Sequence, residues 1–251
     1  MPELNNTPKQ DFLHLSTYKF TTIHDVDYLK NTYWKLCFEL QLKGAIVFSP
    51  EGFNLMMAGS IQNMNKLMDF LNQDPRFTDL PNKISYCDHN PFKRLQIKFK
   101  PLLVPTIDTK TKEDFPAPHL SPKDFKRWMD NNKTDSGEEF IILDTRNGFE
   151  YRKGAFTKSK HFDLTNFSDF KEAVTENKNN ILPKKDVPIV TFCTGGIRCE
   201  KAAPHLIKEG YKNVYQLDGG VLDYFKDVGD SEDDHWSGDC FVFDDRVAVR
   251  A

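Results

Sequence analysis

A predominantly apolar run, Val187-Pro-Ile-Val-Thr-Phe192, leads without a break into Cys193-Thr-Gly-Gly-Ile-Arg198, and a helical pattern then extends from Cys199 to Ile207. A short buried strand that turns through glycines into a helix is the basic joint of a parallel α/β sheet. It puts the loop at the carboxyl end of the strand, where such sheets hold their ligands. Gly195 and Gly196 permit backbone conformations closed to other residues, so successive N–H groups of the loop Thr194, Gly195, Gly196, Ile197 and Arg198 can turn toward the Cys193 sulfur as an anion cradle. The helix start adds a positive end of roughly half a charge, and the Arg198 guanidinium adds its own. Such settings bring a thiol from about 8.5 down to between roughly 3.5 and 7.5. Cys193 is therefore expected to be a thiolate nucleophile at neutral pH and the catalytic residue. The same donors suit a persulfide, which is also anionic.

The surroundings of this joint repeat the α/β pattern. Ser121-Pro122 has the residue types of an N-cap followed by a first helical position, and leads into Phe125, Trp128 and Met129. Phe140 to Leu143 and Val214 to Leu217 are further short apolar runs separated by helical segments, as in a central parallel sheet. Asp144 and Arg146 close the first of these strands, with Glu150 four residues beyond Arg146, and a buried Asp–Arg pair there can brace the neighbouring loop. Cys199 directly follows Arg198. It is close enough in sequence to resolve an oxidised Cys193 as a disulfide, and equally suited to packing inside the helix.

Upstream the order of signals differs. Phe12 to Phe20 reads as a strand. Val26 to Leu42 reads as an amphipathic helix after Asp25 and before Gly44. Ala45 to Phe48 and Phe53 to Met57 read as two strands joined around Pro50-Glu-Gly52. Ser60 is placed to cap a helix from Ile61 to Leu71, and Arg94 to Val104 returns to strand. This β-α-β-β-α-β order predicts a ferredoxin-like, acylphosphatase-like α+β domain. Prolines at 101, 105, 116, 118 and 122 among charged residues mark a connection that resists regular structure. The expected organisation is a ferredoxin-like domain over 1–108, a linker over 109–120, an α/β domain over 121–228, and an acidic extension over 229–251.

Composition bounds the partners. With 251 residues, 39% hydrophobic and 28% charged, the chain suits two ordinary soluble domains. It has no apolar run of the roughly 20 residues that span a bilayer, and Met1 to Gln10 lacks a signal-peptide design. A cytoplasmic protein with no membrane partner is expected. Five cysteines without a CxxC pair or zinc-finger histidines suggest reduced thiols and no metal site. The net charge of −3 provides no global pull on nucleic acid. A local one exists at Lys93, Arg94, Lys98 and Lys100, which fits either an RNA-backbone grip or a solvated strand face. No flavin or dinucleotide fingerprint is visible, so the sequence identifies no cofactor.

Four segments carry a resemblance: Cys193-Thr-Gly-Gly-Ile-Arg-Cys-Glu-Lys-Ala202, Asp144-Thr-Arg-Asn147, Lys93-Arg-Leu95, and Gly238-Asp-Cys-Phe-Val-Phe-Asp-Asp-Arg-Val-Ala-Val249. In these the chain resembles the rhodanese fold, and within it the rhodanese-domain tRNA uridine hydroxylases. The resemblance implies a ferredoxin-like domain followed by a rhodanese domain, with tRNA as partner. It implies conversion of the wobble uridine to 5-hydroxyuridine with molecular oxygen as co-substrate, and Cys193 as the active-site cysteine. The turn Glu51-Gly-Phe-Asn-Leu-Met56 departs from the family's usual glycine and threonine at its last two positions. Tyr151, Arg152 and Lys153 replace a usually apolar middle, and many relatives continue beyond the position of Ala251 into a cysteine-rich tail. The cradle alone also fits a sulfurtransferase that moves sulfane sulfur through a Cys193 persulfide. A phosphatase of this fold needs its arginine after five intervening residues, whereas Arg198 follows Cys193 after four.

Overall fold

A computed structural model of the chain describes residues 11–105, 116–229, 231 and 233–249. The chain divides into two compact units between Leu103 and Val104. Of the linker expected at 109–120, residues 109–115 lie outside the described residues, as do the first ten residues of the chain.

In the first unit, β1 (Phe12–Phe20), α1 (Val26–Glu39), β2 (Lys43–Ser49), β3 (Gly52–Ser60) and α2 (Ile61–Asn72) follow the expected order, and β4 (Lys83–Cys87) and β5 (Leu95–Phe99) complete the sheet. Its strand order is β4-β1-β3-β2-β5. The first four strands pair antiparallel, whereas β5 runs parallel to β2 on the opposite edge from β4. One sequence expectation is corrected here. The run 94–104 is not the closing strand of the ferredoxin-like pattern; Lys83–Cys87 takes that place beside β1, and the later run contributes a shorter, additional edge strand. The reason lies in β4's side chains. Ile84 and Tyr86 are 45% and 51% exposed, so the segment lacks the apolar inward face by which strands are read from sequence.

Period-two alternation settles the core of this unit. Leu13 and Leu15 on β1, and Phe53, Leu55 and Met57 on β3, are buried together with Leu29 and Tyr33 of α1 and Met64 and Leu67 of α2. Leu55, at one of the positions where the turn departs from its family pattern, is thus a core residue. The Ser60 hydroxyl caps α2 by accepting the Asn63 N–H. Asp25 does not cap α1 with its side chain; its carboxylate is taken by Arg76, which also grips Asp74.

The second unit carries a five-stranded, wholly parallel sheet in the order β6-β11-β10-β7-β9, made of β6 (His119–Leu120), β7 (Ile141–Asp144), β9 (Lys160–His161), β10 (Ile189–Phe192) and β11 (Val214–Leu217). Between β7 and β9 come the short helix α4 (Gly148–Lys153) and β8 (Gly154–Phe156). The remaining helices are α3 (Pro122–Asn131), α5 (Phe170–Thr175), α6 (Cys199–Lys208) and α7 (Gly220–Val228). The Ser121 hydroxyl accepts the Asp124 N–H at 3.1 Å, with Pro122 at the first helical position as its fixed φ favours. Helices α3 and α7 pack together, and α6 lies against β10 and β11. All four residues of β10 are fully buried, which is why that strand reads as a continuous run without polar alternation. Its register sets Phe192 opposite Asp144, so the carboxyl ends of the two central strands are level.

Residues after 229 do not stand apart from this unit. Strand β12 (Trp236–Gly238) pairs antiparallel with β8, and β13 (Cys240–Phe241) pairs with β14 (Ala248–Val249). Trp236 is buried and meets Phe156 edge-to-face at 4.9 Å, while Phe156 in turn meets Phe125, Phe192 and Tyr224. Removing the indole leaves a cavity in the centre of this aromatic cluster. Trp236→Ala is therefore expected to lower the unfolding free energy by about 3–5 kcal/mol, read from urea denaturation followed by far-UV circular dichroism. A loss under about 1 kcal/mol, typical of a surface position, would mean that the segment lies on the core without being part of it.

Candidate active site at the Cys193 loop

The loop between β10 and α6 is closed by short local bonds. The Gly196 N–H donates to Cys193 Sγ at 3.1 Å, and the Cys199 N–H donates to the Gly196 carbonyl at 2.9 Å. Gly196 has φ +97, in the region that favours glycine, whereas Gly195 needs no such conformation. The loop is also held from the amino end of α7, where the N–H groups of Val221 and Leu222 donate to the carbonyls of Cys193 and Thr194. At Gly220, with φ +66, a Cβ would stand 2.4 Å from the Cys193 carbonyl and 2.8 Å from the Gly196 nitrogen. Sequence reasoning did not single out Gly220. The available signal was the Asp218-Gly-Gly turn directly after a buried strand.

Cys193 is 1% exposed. Burial pushes its thiol up, but the Cys199 side chain, the Arg198 guanidinium and the backbone N–H groups of Arg198 and Gly196 outweigh burial and bring it down to about 6. Cys199 moves the opposite way, raised by burial and by the neighbouring Cys193 charge. It thus stays a thiol and donates its S–H to the Cys193 sulfur. The Thr145 hydroxyl lies 3.7 Å from Cys199 Sγ. Neither sulfur is in a disulfide.

Arg198 does not hang over the loop as a free cation. Its guanidinium makes a two-pronged ion pair with Glu150, Nη1 to Oε2 at 2.8 Å and Nη2 to Oε1 at 2.9 Å. The Glu150 carboxylate is wholly buried and also accepts the Asn147 N–H at 3.1 Å and the Thr194 hydroxyl at 3.5 Å. Burial works against the charge on Arg198, and Glu150 more than restores it.

A second buried pair stands behind the first. The Arg146 guanidinium grips the Asp144 carboxylate through Nε and Nη2, the latter at 2.6 Å, and donates to the Gly154 carbonyl at 2.7 Å. Its guanidinium lies over the adjoining rings of Phe192 and Trp236, 5.4 and 5.2 Å from their centroids. Asp144 and Arg146 thus tie the end of β7 to β8, to the end of β10 and to the C-terminal segment. The Thr145 hydroxyl adds a bond to the Phe192 carbonyl at 2.9 Å. Cys240, to which the sequence assigned no role, is buried against this wall. Its thiol faces the Phe241 carbonyl at 3.9 Å and is pushed up to about 12 by burial.

Lys93, Arg94, Lys98 and Lys100 are all exposed and belong to the first unit, on and around its edge strand β5. Among the described residues no group of three or more His, Cys, Asp or Glu is placed to hold a metal ion.

Two family models match the chain: a UPF0176 acylphosphatase-like domain over residues 12–102 and a rhodanese-like domain over residues 121–227. Among curated relatives, a Ralstonia nicotianae protein named tRNA uridine(34) hydroxylase is 42% identical over 95% of this chain and 83% of its own length. One of the same name from Cupriavidus metallidurans is also 42% identical over 95% of this chain and 83% of its own. A third, from Thiobacillus denitrificans, is 38% identical over 95% and 94%.

The geometry makes two predictions. Ultraviolet thiolate absorbance should rise in a step centred at pH about 6, protonated below and anionic above, and Cys193→Ser should abolish it. Cys199→Ala should move the step upward, because a donor to the anion is lost, while Cys199→Ser, which keeps a hydroxyl donor, should move it less; a step indifferent to both substitutions refutes the Cys199 bond. Glu150→Gln leaves the Arg198 guanidinium buried without its counter-charge and should cost about 3–5 kcal/mol in chemical denaturation.

Proposed function

Because the chain belongs to the tRNA uridine(34) hydroxylase family, we propose that it hydroxylates the uridine at position 34 of tRNA, giving 5-hydroxyuridine with molecular oxygen as co-substrate. The observation that carries this reading is a match that spans both units, at 42% identity over 95% of the chain. A tRNA substrate places the work in the cytoplasm. No helix among the described residues is long and apolar enough to cross a membrane.

The site residues take definite roles in this reading. Cys193 is the nucleophile, and a thiolate is the form the cradle favours. Added to C6 of the uracil, it would turn C5 into a carbon nucleophile toward an electrophilic oxygen species. In the overall balance one atom of dioxygen enters at C5 and the other leaves as water, with two electrons from an external reductant such as a dithiol. Elimination of the thiolate with loss of the C5 proton then restores the ring. Gly196 and Arg198 support the sulfur through their backbone N–H groups, Cys199 through its S–H, and Arg198 through its charge. Asp144 and Arg146 brace the loop, and Glu150 fixes Arg198. Lys93, Arg94, Lys98 and Lys100 offer an exposed cationic edge for the RNA backbone.

A second reading, sulfur transfer through a Cys193 persulfide, draws on the same N–H donors, which also suit that anion. In it the thiolate displaces sulfite from thiosulfate and hands the outer sulfur to a thiol or cyanide acceptor.

Nucleoside mass spectrometry of bulk tRNA separates the two. In a strain with no redundant pathway, deletion should remove 5-hydroxyuridine, wild type should restore it, and Cys193→Ala should not. An unchanged level on deletion overturns the hydroxylase reading, and thiosulfate-dependent cyanide sulfuration by wild type but not Cys193→Ala would then establish the second.

A further inference from the structure

Three phenylalanines meet on the surface beside the Cys193 loop. Phe149, on α4, stands edge-to-face with Phe241 at 5.0 Å and with Phe243 at 6.5 Å, and Phe241 and Phe243 meet edge-to-face at 5.0 Å. The interplanar angles are 87° to 89°, so each ring edge rests on a neighbouring face and the three rings brace one another. Phe149 is 41% exposed and Phe243 53%. Aromatic surface left in water at a clustered site is costly and marks a place where something binds.

The cluster is joined to the loop at Phe149. Next to Phe149 is Glu150, whose carboxylate grips Arg198. Next to Phe241 is Cys240, fully buried, and the strand that carries both packs against α4. The rings are therefore carried by the same backbone that fixes the reactive sulfur. Phe149 is set by a short helix and Phe241 by a strand, and Phe243 follows in the turn between β13 and β14. Lys153, exposed on the same short helix, brings a cationic group to this surface, whereas Arg152 beside it is paired with Asp163 at 2.7 Å, and the Asp244 carboxylate beside Phe243 is bound by Arg246 at 2.5 Å.

Half-exposed, mutually bracing rings, a lysine within one helical turn and attachment to the residue that grips Arg198 together describe a platform for an unpaired base. Single-stranded RNA is held in this way, with bases stacked on aromatic faces and phosphates met by Lys and Arg. Resting on the hydroxylase reading above, we propose that Phe149, Phe241 and Phe243 form a stacking platform for an anticodon-loop base next to residue 34. The platform holds that neighbour while the uracil turns into the Cys193 cradle. Residue 34 must leave the loop stack to reach a buried sulfur, and a neighbour fixed on an adjacent surface limits how far the strand can move as it does so.

The test uses the full chain and a synthetic anticodon stem-loop RNA carrying uridine at position 34. Phe149→Ala and Phe243→Ala should each weaken binding by about tenfold, within the range of a lost base–aromatic stack. The loss should fall on KM rather than kcat, with the Cys193 thiolate titration unchanged as evidence of an intact loop. Phe149→Trp should retain affinity and Phe149→Leu should not, since leucine keeps apolar bulk but offers no π face. An abasic residue at position 33 or 35 should weaken wild type about as much as Phe149→Ala does, and should remove the further effect of that substitution. Leucine acting as well as phenylalanine, or no coupling at either abasic position, overturns the platform. If wild type hydroxylates the stem-loop while the alanine variants keep its KM, the platform alone falls. If wild type neither binds nor hydroxylates it, the hydroxylase reading falls too.

Discussion

The contact on which the site depends is the ion pair between Glu150 and Arg198. Both groups are taken out of water, and a buried pair of this kind adds little net stability, because desolvation consumes most of the attraction. What it supplies is position. Its two parallel N–H···O bonds fix the guanidinium in a plane and at a distance, and that fixes the end of the loop from which α6 begins. The same carboxylate accepts the Asn147 N–H and the Thr194 hydroxyl, so the first turn of α4 and both ends of the loop meet at one group. Arg146 and Asp144 repeat the device with both side chains fully buried, and the guanidinium also lies over the rings of Phe192 and Trp236. A loop pinned in this way keeps its N–H groups aimed at a sulfur before any substrate arrives, which is the preorganisation that anion-stabilising sites require.

Three cysteines around this loop show that burial alone does not decide reactivity. Cys193, Cys199 and Cys240 are all almost completely enclosed. Two are driven toward the neutral thiol, as desolvation dictates. Only Cys193 goes the other way, because donors converge on it from the backbone, from Arg198 and from its neighbour Cys199. Cys199 can act as a donor because it remains protonated. Each member of the pair therefore reinforces the other's shift, on top of burial, which raises Cys199, and of Arg198 and the backbone N–H groups, which lower Cys193.

Much of this was legible in the chain. The strand-to-helix joint at 193–198, the Asp144–Arg146 brace, the Ser60 and Ser121 caps and the α+β order of the first unit all rest on local rules of propensity, spacing and glycine geometry, and the structure places them where those rules point. The closing strand of the first unit was missed because Ile84 and Tyr86 face outward, leaving no buried alternation to detect. The grip of Glu150 on Arg198 was missed because the two residues are 48 positions apart in sequence. The contribution of Trp236 and Cys240 was obscured by the acidic residues around them, which read as a solvated extension.

The sequence by itself singled out the candidate nucleophile, the loop that cradles it and the two-unit organisation, because each is encoded within a few consecutive residues or in a repeating period. Only the tertiary structure decided which charge steadies Arg198, which thiol donates to Cys193, why position 220 must be glycine, and that the C-terminal segment forms part of the site wall. Those contacts join residues brought together by the parallel sheet, whose register sets Phe192 beside Asp144, and a pairing between distant strands is fixed by the packing of whole faces rather than by any local run of side chains.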